Sequence, residues 1–347
     1  MPTNRFSKNA LMYEGSVKRI YSSGASSESA AENLLFEFTD DYSVFDWGKM
    51  PDTIPRKGQA LARLTSSLYE KLEDPKEWQR FGKIKSIPEE LCQRGLLTHY
   101  RGFDQDATLL VRKINICRPQ KMTEMGREYY IYPPKMQPPY LIPLEVVFRF
   151  EVGAGSSLTK RHPEYQSGHL FNPPYVEMFT KLEEKDRPLE KTEAMKMSGL
   201  SSEKYQEMVQ KTILVAEILK FWLEEKSIRL VDGKFEWGLT AKGELMLVDA
   251  IGPDELRLEK NGVQLSKEVL RDFYRQTAWY REVENAKENH ITNWKAKVSE
   301  PPSLPDKLRN LVSQMYQSLV DEILGQNNFS CSSLNSITEE FKCKLWS

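Results

Sequence analysis

Several charged residues concentrate in one predicted β-hairpin in the second half of the chain. Three of them alternate along the first strand, so their side chains point to one face of a sheet. A carboxylate ends the second strand, and a carboxylate and an arginine follow in the exit loop. In chain order these residues are Asp232, Lys234, Glu236, Asp249, Asp254 and Arg257. Because Mg²⁺ prefers one or two carboxylates together with phosphate oxygens, and a lysine offsets phosphate charge, this pattern indicates a site for a magnesium-bound nucleotide.

The same hairpin also fits a simpler interpretation, a charged strand face in water. Val231, Gly233 and Phe235 alternate with the charged residues, as expected for a strand with one buried and one solvated face. The further carboxylate of Asp249 and the charged exit loop favour the functional interpretation.

Two motifs in the first sixty residues contain polar groups suited to a ligand. In YEGSVKRIY, Gly15 would let the backbone approach a phosphate and Lys18 would add positive charge. For a lone motif of this kind, an exposed β-turn is the favoured explanation. In DDYSVFDWGKMPDTIPRKG, Ser43 and Asp46 lie in a loop that could orient a substrate. An ordinary side-chain-stabilised turn explains that loop equally well.

A third motif follows a predicted strand that contains Arg149. The chain continues as a glycine-serine turn that includes Ser156, Ser157, Lys160 and Arg161. Glycines, hydroxyls and bases after a strand suit an anion pocket, since arginine binds phosphate through paired hydrogen bonds. A flexible loop with exposed charges fits the same residues equally well.

Composition excludes several classes of protein. The 49 basic and 50 acidic residues leave a net charge of −1, which gives no electrostatic reason to expect nucleic acid as a partner. No apolar run is long enough to span a bilayer, and the first fifteen residues lack the apolar core of a signal peptide. Cys92, Cys117, Cys331 and Cys343 are scattered, as is typical of reduced thiols in the cytoplasm. We therefore expect a cytoplasmic protein of one large or two medium domains.

The predicted elements mix strands and helices, which indicates an α+β fold. Strands are predicted at 34–38, 108–113 and 141–152, and helices at 59–72, 201–226, 266–286 and 304–324. Ser201 or Ser202 is the expected cap of the second helix, and Ser266 that of the third. The proline pairs Pro133-Pro134 and Pro138-Pro139 within 118–143 argue against a regular helix or a central strand there. We expect a β-rich lobe at 1–115, an insertion or linker at 116–140, an α+β lobe at 141–325 and, at 326–347, a polar tail that is frayed or loosely docked.

Taken in this order, five motifs resemble the SAICAR synthetase (phosphoribosylaminoimidazole-succinocarboxamide synthase) family. They are YEGSVKRIY, DDYSVFDWGKMPDTIPRKG, LEVVFRFEVGAGSSLTKR, LVDGKFEWG and VDAIGPDELRL, and the resemblance runs from about Leu11 to about Leu324. It implies a two-lobed α+β fold whose β-rich N-terminal lobe covers a nucleotide. It also implies that ATP activates the carboxylate of an aminoimidazole ribonucleotide as an acyl phosphate, which the amine of L-aspartate attacks. A homodimer is one option for the assembly.

The resemblance also implies roles for individual residues. Glu236 and Asp249 match the Mg-ATP carboxylates, and Asp232 and Lys234 match polar positions that face the reacting carboxylate. The other matching positions are Gly15, Ser16 and Lys18 on the nucleotide phosphates, Ser43 and Asp46 over the substrate, and Arg149, Ser156, Ser157, Asp254 and Arg257 around the ribonucleotide.

Departures from the family pattern leave alternatives open. Ser16 stands where the family usually has lysine, Ala250 replaces a glutamate, and Glu255 lies where a small or hydroxylated residue is usual. One alternative is therefore a related amide ligase with a different carboxylate or amine in a specialised pathway. Another is a catalytically inactive relative that binds a nucleotide or a protein partner, although the retained Glu236 and Asp249 argue against it.

Overall fold

The computed structural model describes residues 8–24, 32–104, 107–125, 127–153, 155–289, 291 and 293–343. Within these ranges the chain mixes strands and helices, which confirms the predicted α+β class. The strands are β1 (Lys8–Glu14), β2 (Lys18–Ser23), β3 (Asn33–Phe38), β4 (Tyr100–Asp104), β5 (Thr108–Arg112), β6 (Gln120–Glu124), β7 (Arg127–Ile131), β8 (Tyr140–Leu141), β9 (Leu144–Glu151), β10 (Leu170–Thr180), β11 (Pro188–Leu189), β12 (Arg229–Leu239), β13 (Leu245–Val248), β14 (Leu256–Lys260) and β15 (Val263–Gln264).

The helices lie between these strands and beyond the last of them. They are α1 (Lys57–Glu73), α2 (Pro75–Phe81), α3 (Glu89–Arg94), α4 (Leu158–Arg161), α5 (Lys191–Ser198), α6 (Ser202–Glu224), α7 (Glu268–Arg275), α8 (Ala278–Glu288), α9 (Asp306–Leu324) and α10 (Leu334–Lys342), with a 3-10 helix at Trp294–Lys297. In the described part of the chain no helix has the length and apolarity needed to span a membrane.

Two compact units divide the chain. The first contains 1–67, 101–111 and 252–347, and the second contains 68–100 and 112–251. Their segments alternate along the sequence, whereas the lobes expected from the sequence are consecutive. The predicted lobe boundaries stay a prediction.

The first unit contains a five-stranded sheet in the order β1-β2-β3-β5-β4 and the β14–β15 hairpin. Its strands β1, β2 and β3 are antiparallel, and the Gly15 N–H donates to the Lys18 carbonyl at 2.8 Å in the turn between β1 and β2. Helix α9 begins after Pro305 and ends at Gly325, whose φ of 63° is the left-handed conformation that favours glycine at a helix end.

The second unit contains an antiparallel run of strands in the order β11-β10-β9-β12, and both β8 and β13 also pair with β12. Helix α6 packs against β9 and β12, where the Trp237 indole donates to Thr212 Oγ1 at 3.0 Å. Phe148 and Phe235 stack on this side with ring centroids 4.8 Å apart. Because side chains alternate along a strand, the charged residues of β9 and β12 lie on the opposite face.

The charged strand therefore lies on one face, as predicted, but that face is not a solvated one. Asp232 and Glu236 are 7% and 5% exposed. Register pairs Asp232 with Arg149 and Lys234 with Val147 across β12 and β9. Burial of two carboxylates with charged partners excludes the simple interpretation of a strand face in water.

One expectation about elements is wrong, and the structure adds detail to two others. The helix predicted at 266–286 is two helices, because the chain breaks at Gln276 and Thr277 caps α8. The polar tail, expected to be frayed or loosely docked, contains α10 within its described residues, and α10 buries Leu334, Ile337 and Phe341. The proline-rich excursion contains the β6–β7 hairpin, whose strands end before the first proline pair.

Candidate active site

The charged face of the second unit carries a ring of two lysines and two glutamates. Lys234 Nζ lies 2.8 Å from Glu145 Oε1 and 3.0 Å from Glu236 Oε1. Lys181 Nζ lies 3.0 Å and 2.8 Å from the same two oxygens. Strands β9 and β12 hold the glutamates and Lys234, and Lys181 directly follows β10. Each carboxylate therefore contacts both ammonium groups.

These opposite charges outweigh the effect of burial. Desolvation alone would lower the pKa of Lys234, but the charges of Glu236, Glu145 and Asp249 raise it well above its usual value. The pKa of Lys181 is likewise raised against desolvation, first by Glu236. Desolvation would raise the pKa of Glu145, but Lys234 and Lys181 lower it. Both lysines thus stay cationic at neutral pH, where they suit phosphate binding and not proton abstraction.

Asp249 follows β13 in a conformation that is uncommon outside glycine. Its φ is 69°, in the left-handed region. Its carbonyl accepts a hydrogen bond from Tyr69 Oη at 3.1 Å and lies 3.0 Å from His99 Nε2. Backbone outliers of this kind cluster at functional sites, and the charge of Asp249 acts on both Lys181 and Lys234.

The predicted metal ligands, Glu236 and Asp249, are oxygen donors of the type that Mg²⁺ prefers. Together with Glu145 they give three negative charges against two from the lysines, so the cluster retains a negative balance that suits a cation. Among the described residues no three His, Cys, Asp or Glu side chains are already grouped as a metal site. This donor set fits an ion that keeps water and takes phosphate oxygens as its remaining ligands. The metal assignment stays a prediction.

Arg149 lies on the same face and is held by two carboxylates. Its Nε and Nη2 donate to Glu177 Oε1 at 2.8 and 2.5 Å, and its Nη1 lies 3.3 Å from Asp232 Oδ2. Glu177 Oε2 accepts from Arg161 Nη2 at 2.5 Å. The predicted substrate-binding residue Arg149 and the predicted catalytic residue Asp232 are therefore direct partners.

The glycine-serine turn after β9 positions the two predicted serines differently. Ser156 is buried, and its Oγ accepts the Leu158 N–H at 3.3 Å at the start of α4. Ser157 accepts from Arg161 Nη1 through its Oγ at 3.0 Å and its carbonyl at 3.2 Å. The predicted flexible loop is thus a short helix that fixes Arg161 beside Glu177.

In the first unit, Asp254 belongs to a buried polar cluster. Its carboxylate lies 2.7 Å from Lys57 Nζ and accepts from Tyr316 Oη at 2.7 Å. Desolvation would raise the pKa of Asp254, but Lys57, Lys267 and the hydrogen bond from Tyr316 lower it. Lys57 is fully buried and also donates to the Asp41 carbonyl at 3.2 Å. Asp254 is therefore held in place by its own unit.

Arg257 and Lys18 each face a glutamate in the first unit. Arg257 Nη2 lies 3.7 Å from Glu268 Oε1, and Glu268 is also bonded by Arg271. Lys18 Nζ lies 3.5 Å from Glu255 Oε1. The unusual Glu255 thus offsets the charge of the lysine predicted to contact the nucleotide phosphates.

The remaining predicted residues lie in turns of the first unit. Gly15 and Ser16 form the half-buried turn that leads into β2. Ser43 is half-buried, whereas Asp46 is exposed and pairs with Lys287 at 2.9 Å. Asp46 has a φ of 59°, next to Phe45 at 54°. The structure thus brings together Asp232 with Arg149 and Lys234 with Glu236, and leaves Ser43 and Asp46 in a loop.

Sequence reasoning missed four charged residues of these clusters. Glu145 precedes Arg149 by four residues and so shares its strand face, a signal that period-two alternation could have supplied. Lys57 directly precedes Gly58 in the second motif. Glu177 and Lys181 lie in or just after β10, where no motif marked them, and only strand pairing brings them next to β9.

A family model described as SAICAR synthetase matches residues 11–287. A protein of Archaeoglobus fulgidus, provisionally assigned as phosphoribosylaminoimidazole-succinocarboxamide synthase, is 32% identical over 333 residues, covering 88% of this chain and 92% of its own length. The Thermoplasma volcanium protein of that name is 28% identical over 327 residues, covering 91% and 99%.

Solved structures share the fold. A type-2 SAICAR synthetase in complex with ADP aligns with a TM-score of 0.60 at 24% identity, covering 90% of this chain and 97% of that one. The Saccharomyces cerevisiae SAICAR synthase complexed with SAICAR aligns with a TM-score of 0.57 at 20% identity, covering 91% and 95%. The predicted enzyme class, an ATP-dependent carbon–nitrogen ligase, is confirmed at the level of the family. Because the family model matches residues 11–287 and the two relatives align over 88% and 91% of this chain, the chain belongs to the SAICAR synthetase family.

Proposed function

We propose that this protein joins the carboxylate of carboxyaminoimidazole ribonucleotide to the amine of L-aspartate as an amide, with ATP converted to ADP and phosphate. The observation that carries the proposal is the ring of Glu145, Lys181, Lys234 and Glu236 on a largely buried sheet face. Two lysines that neighbouring carboxylates keep cationic at neutral pH suit a reaction in which phosphate charge must be held and moved.

The nucleotide phosphates are assigned to charged residues of the second unit. In the second unit, Lys234 and Lys181 supply positive charge, and Glu236 and Asp249 would hold Mg²⁺, which when bound supplies further charge neutralisation on phosphate oxygens. Gly15, Ser16 and Lys18 form a turn of the first unit, and their assignment to a nucleotide phosphate rests on the family resemblance alone. ATP is supported as the nucleotide by the ADP complex of a relative with the same fold.

The ribonucleotide is assigned to the anion-binding groups. Arg149 with Ser156 and Ser157 is the candidate phosphate subsite of the second unit. Arg257 and Asp254 lie in the first unit, and their assignment to the substrate rests on the family resemblance alone. Ser43 and Asp46 are assigned to the loop over the substrate, and Asp232 and Lys234 to the reacting carboxylate.

The reaction then needs no nucleophile from the protein. A carboxylate oxygen of the substrate attacks the γ-phosphorus of ATP, the bond to the bridging oxygen breaks and ADP leaves. The aspartate amine attacks the acyl carbon, the carbon–oxygen bond to phosphate breaks, and the amine loses a proton to give the amide. The chain's part is to align these groups and to stabilise charge, which accounts for most of the catalysis in such transfers.

The test uses the purified full chain with Mg-ATP, carboxyaminoimidazole ribonucleotide and L-aspartate. We expect steady-state ADP release that requires both the ribonucleotide and aspartate, at about 1 to 10³ turnovers per second. The product should have the mass of the ribonucleotide plus aspartate minus water. Omission of aspartate is the control. ADP release only with another carboxylate or amine would instead identify the related ligase. ATP binding without turnover on any acceptor pair would identify an inactive relative.

A further inference from the structure

The Glu177 carboxylate in the second unit bridges two guanidinium groups. One oxygen accepts both Nε and Nη2 of Arg149, at 2.8 and 2.5 Å, and the other accepts Nη2 of Arg161 at 2.5 Å. The side chains of Arg149 and Glu177 are each only 9% exposed. Hydrogen bonds between a guanidinium and a carboxylate are charge-assisted, and they are shorter and stronger than those between neutral groups. In this structure an internal carboxylate therefore occupies the donors of Arg149 that would bind a ligand's phosphate.

The contact between Glu177 and Arg149 affects phosphate binding because of the charges around Arg149. Arg149 and Arg161 carry two positive charges, and Glu177 and Asp232 carry two negative ones, at contact distance throughout. A phosphate dianion placed on Arg149 would meet both carboxylates in a largely buried setting, where like charges repel strongly. Phosphate binding at Arg149 therefore requires Glu177 to leave that side chain.

Arg161 is placed to receive Glu177. It is tied by Nη1 to Ser157 Oγ and to the Ser157 carbonyl, and it lies over the Phe179 ring at 5.2 Å. Its own side chain is 24% exposed. Arg161 and Glu177 also line a cavity of about 730 Å³ within the second unit, together with Tyr175. Glu177 can therefore stay paired with Arg161 and move into this cavity when it leaves Arg149.

We infer that Glu177 stands in for the ligand's phosphate in the unliganded protein, and that Arg161 is a positioning residue that keeps Glu177 when phosphate displaces it from Arg149. This inference rests on the proposed function only in taking Arg149 as the phosphate subsite. It adds that the affinity for a phosphorylated ligand is set by competition with an internal carboxylate.

The test measures binding by calorimetry, without turnover, so that it is separate from catalysis. The ligands are ribose 5-phosphate, the aminoimidazole ribonucleotide and the matching nucleoside without phosphate. Glu177→Gln removes the competing charge, and we expect both phosphorylated ligands to bind about tenfold tighter, with the nucleoside unchanged. Glu217→Gln on α6 is the matched control, because it removes the same charge at a carboxylate that is 10% exposed and pairs with Lys85, and it should leave all three affinities unchanged.

The role of Arg161 is tested by non-additivity. Arg161→Gln should weaken phosphorylated ligands about tenfold, because Glu177 then stays on Arg149, and Arg161→Lys should recover part of that loss. In the Glu177→Gln background, Arg161→Gln should have little effect on the affinity for phosphorylated ligands, since the Glu177 carboxylate no longer competes for Arg149. An undiminished effect of Arg161→Gln in that background would mean direct contact with phosphate and would overturn the positioning role.

Two other outcomes separate the inference from the proposed function. Equal or weaker binding of phosphorylated ligands by folded Glu177→Gln, with thermal unfolding used to confirm the fold, would overturn the stand-in role even if the enzyme makes the expected amide. If the wild type makes no amide but ribose 5-phosphate still binds tighter to Glu177→Gln, the inference stands and the proposed substrate is wrong.

Discussion

At the scale of single residues, the two lysines of the lysine–glutamate ring are suited to holding phosphate charge and not to transferring protons. Lys234 and Lys181 have pKa values raised by the carboxylates around them, so neither releases a proton near neutral pH. Their protonation state should therefore leave the activity unaffected between about pH 6 and 8. Any pH dependence in that range would have to come from other groups or from the substrates.

The metal assignment gives the sharpest single-residue prediction. Glu236→Gln removes one negative charge and keeps a carbonyl oxygen that can still accept from Lys234 and Lys181. We expect turnover to fall at least about a hundredfold, as for loss of a preorganised charge-stabilising group, while the circular dichroism spectrum stays native.

The control for that substitution lies on the same hairpin. Glu244→Gln changes a carboxylate that pairs with Arg94 away from the ring, and should keep near-normal turnover. Near-full activity of Glu236→Gln in the steady-state assay would show that Glu236 does not bind the metal or the nucleotide.

At the scale of elements, the start of α6 was open between two serines. Ser201 is the N-cap, and its side chain accepts the Lys204 N–H at 3.2 Å, whereas Ser202 is the first helical residue. A lost N-cap costs about 1 kcal/mol. We expect Ser201→Ala to lower the free energy of unfolding by about that amount in urea titrations.

Ser202→Ala is the matched control for α6, because it makes the same chemical change one residue later. Alanine has a higher helix propensity than serine, so this variant should be neutral or slightly more stable. Equal losses from both substitutions would show that the cap is not the cause.

The C-terminal helix α10 was not expected, and its buried face can be tested. Ile337 is fully buried, and the Asn261 side chain bonds to Thr338 on the same helix at 3.1 Å. A buried isoleucine truncated to alanine typically costs 2 to 5 kcal/mol, so we expect Ile337→Ala to lower the free energy of unfolding by about 3 kcal/mol. Glu339→Ala, on the exposed side, is the control. An unchanged melting temperature for Ile337→Ala would mean that α10 does not pack stably.

At the scale of the whole molecule, each unit contains a buried carboxylate whose pKa is lowered to about 2 in the fold. These are Glu145 in the second unit and Asp254 in the first, and in each case nearby lysines outweigh the desolvation that would raise the pKa. A lowered folded-state pKa gives stability that is fully present above the unfolded pKa, near 4. That stability is lost as pH falls through the folded value.

Stability should therefore hold from neutral pH down to about pH 5 and fall below about pH 4. Glu145→Gln should flatten this acid limb in urea titrations at several pH values. An exposed control, Glu184→Gln, should leave the slope unchanged, because its side chain is 66% exposed. Parallel acid limbs for wild type and Glu145→Gln would contradict the linkage.

Much of the molecule follows from local sequence. Period-two alternation placed Asp232, Lys234 and Glu236 on one face, and helical periodicity located α1, α6 and α9 to within about two residues. These are properties of neighbours along the chain, which strand and helix geometry convert directly into direction in space. Five motifs in order also indicated the family, which the family match confirms.

Tertiary structure decided the partners. The pairing of β9 with β10 and β12 brings Glu145 and Lys181 next to Lys234. The same pairing brings Arg149 into contact with Glu177 and Asp232. Burial, which separates a charged active face from a solvated one, likewise depends on what packs over the strand. The sequence by itself determined which groups could do chemistry and which way they point. Long-range strand pairing decided which charges meet, because contact between residues tens of positions apart leaves no local pattern.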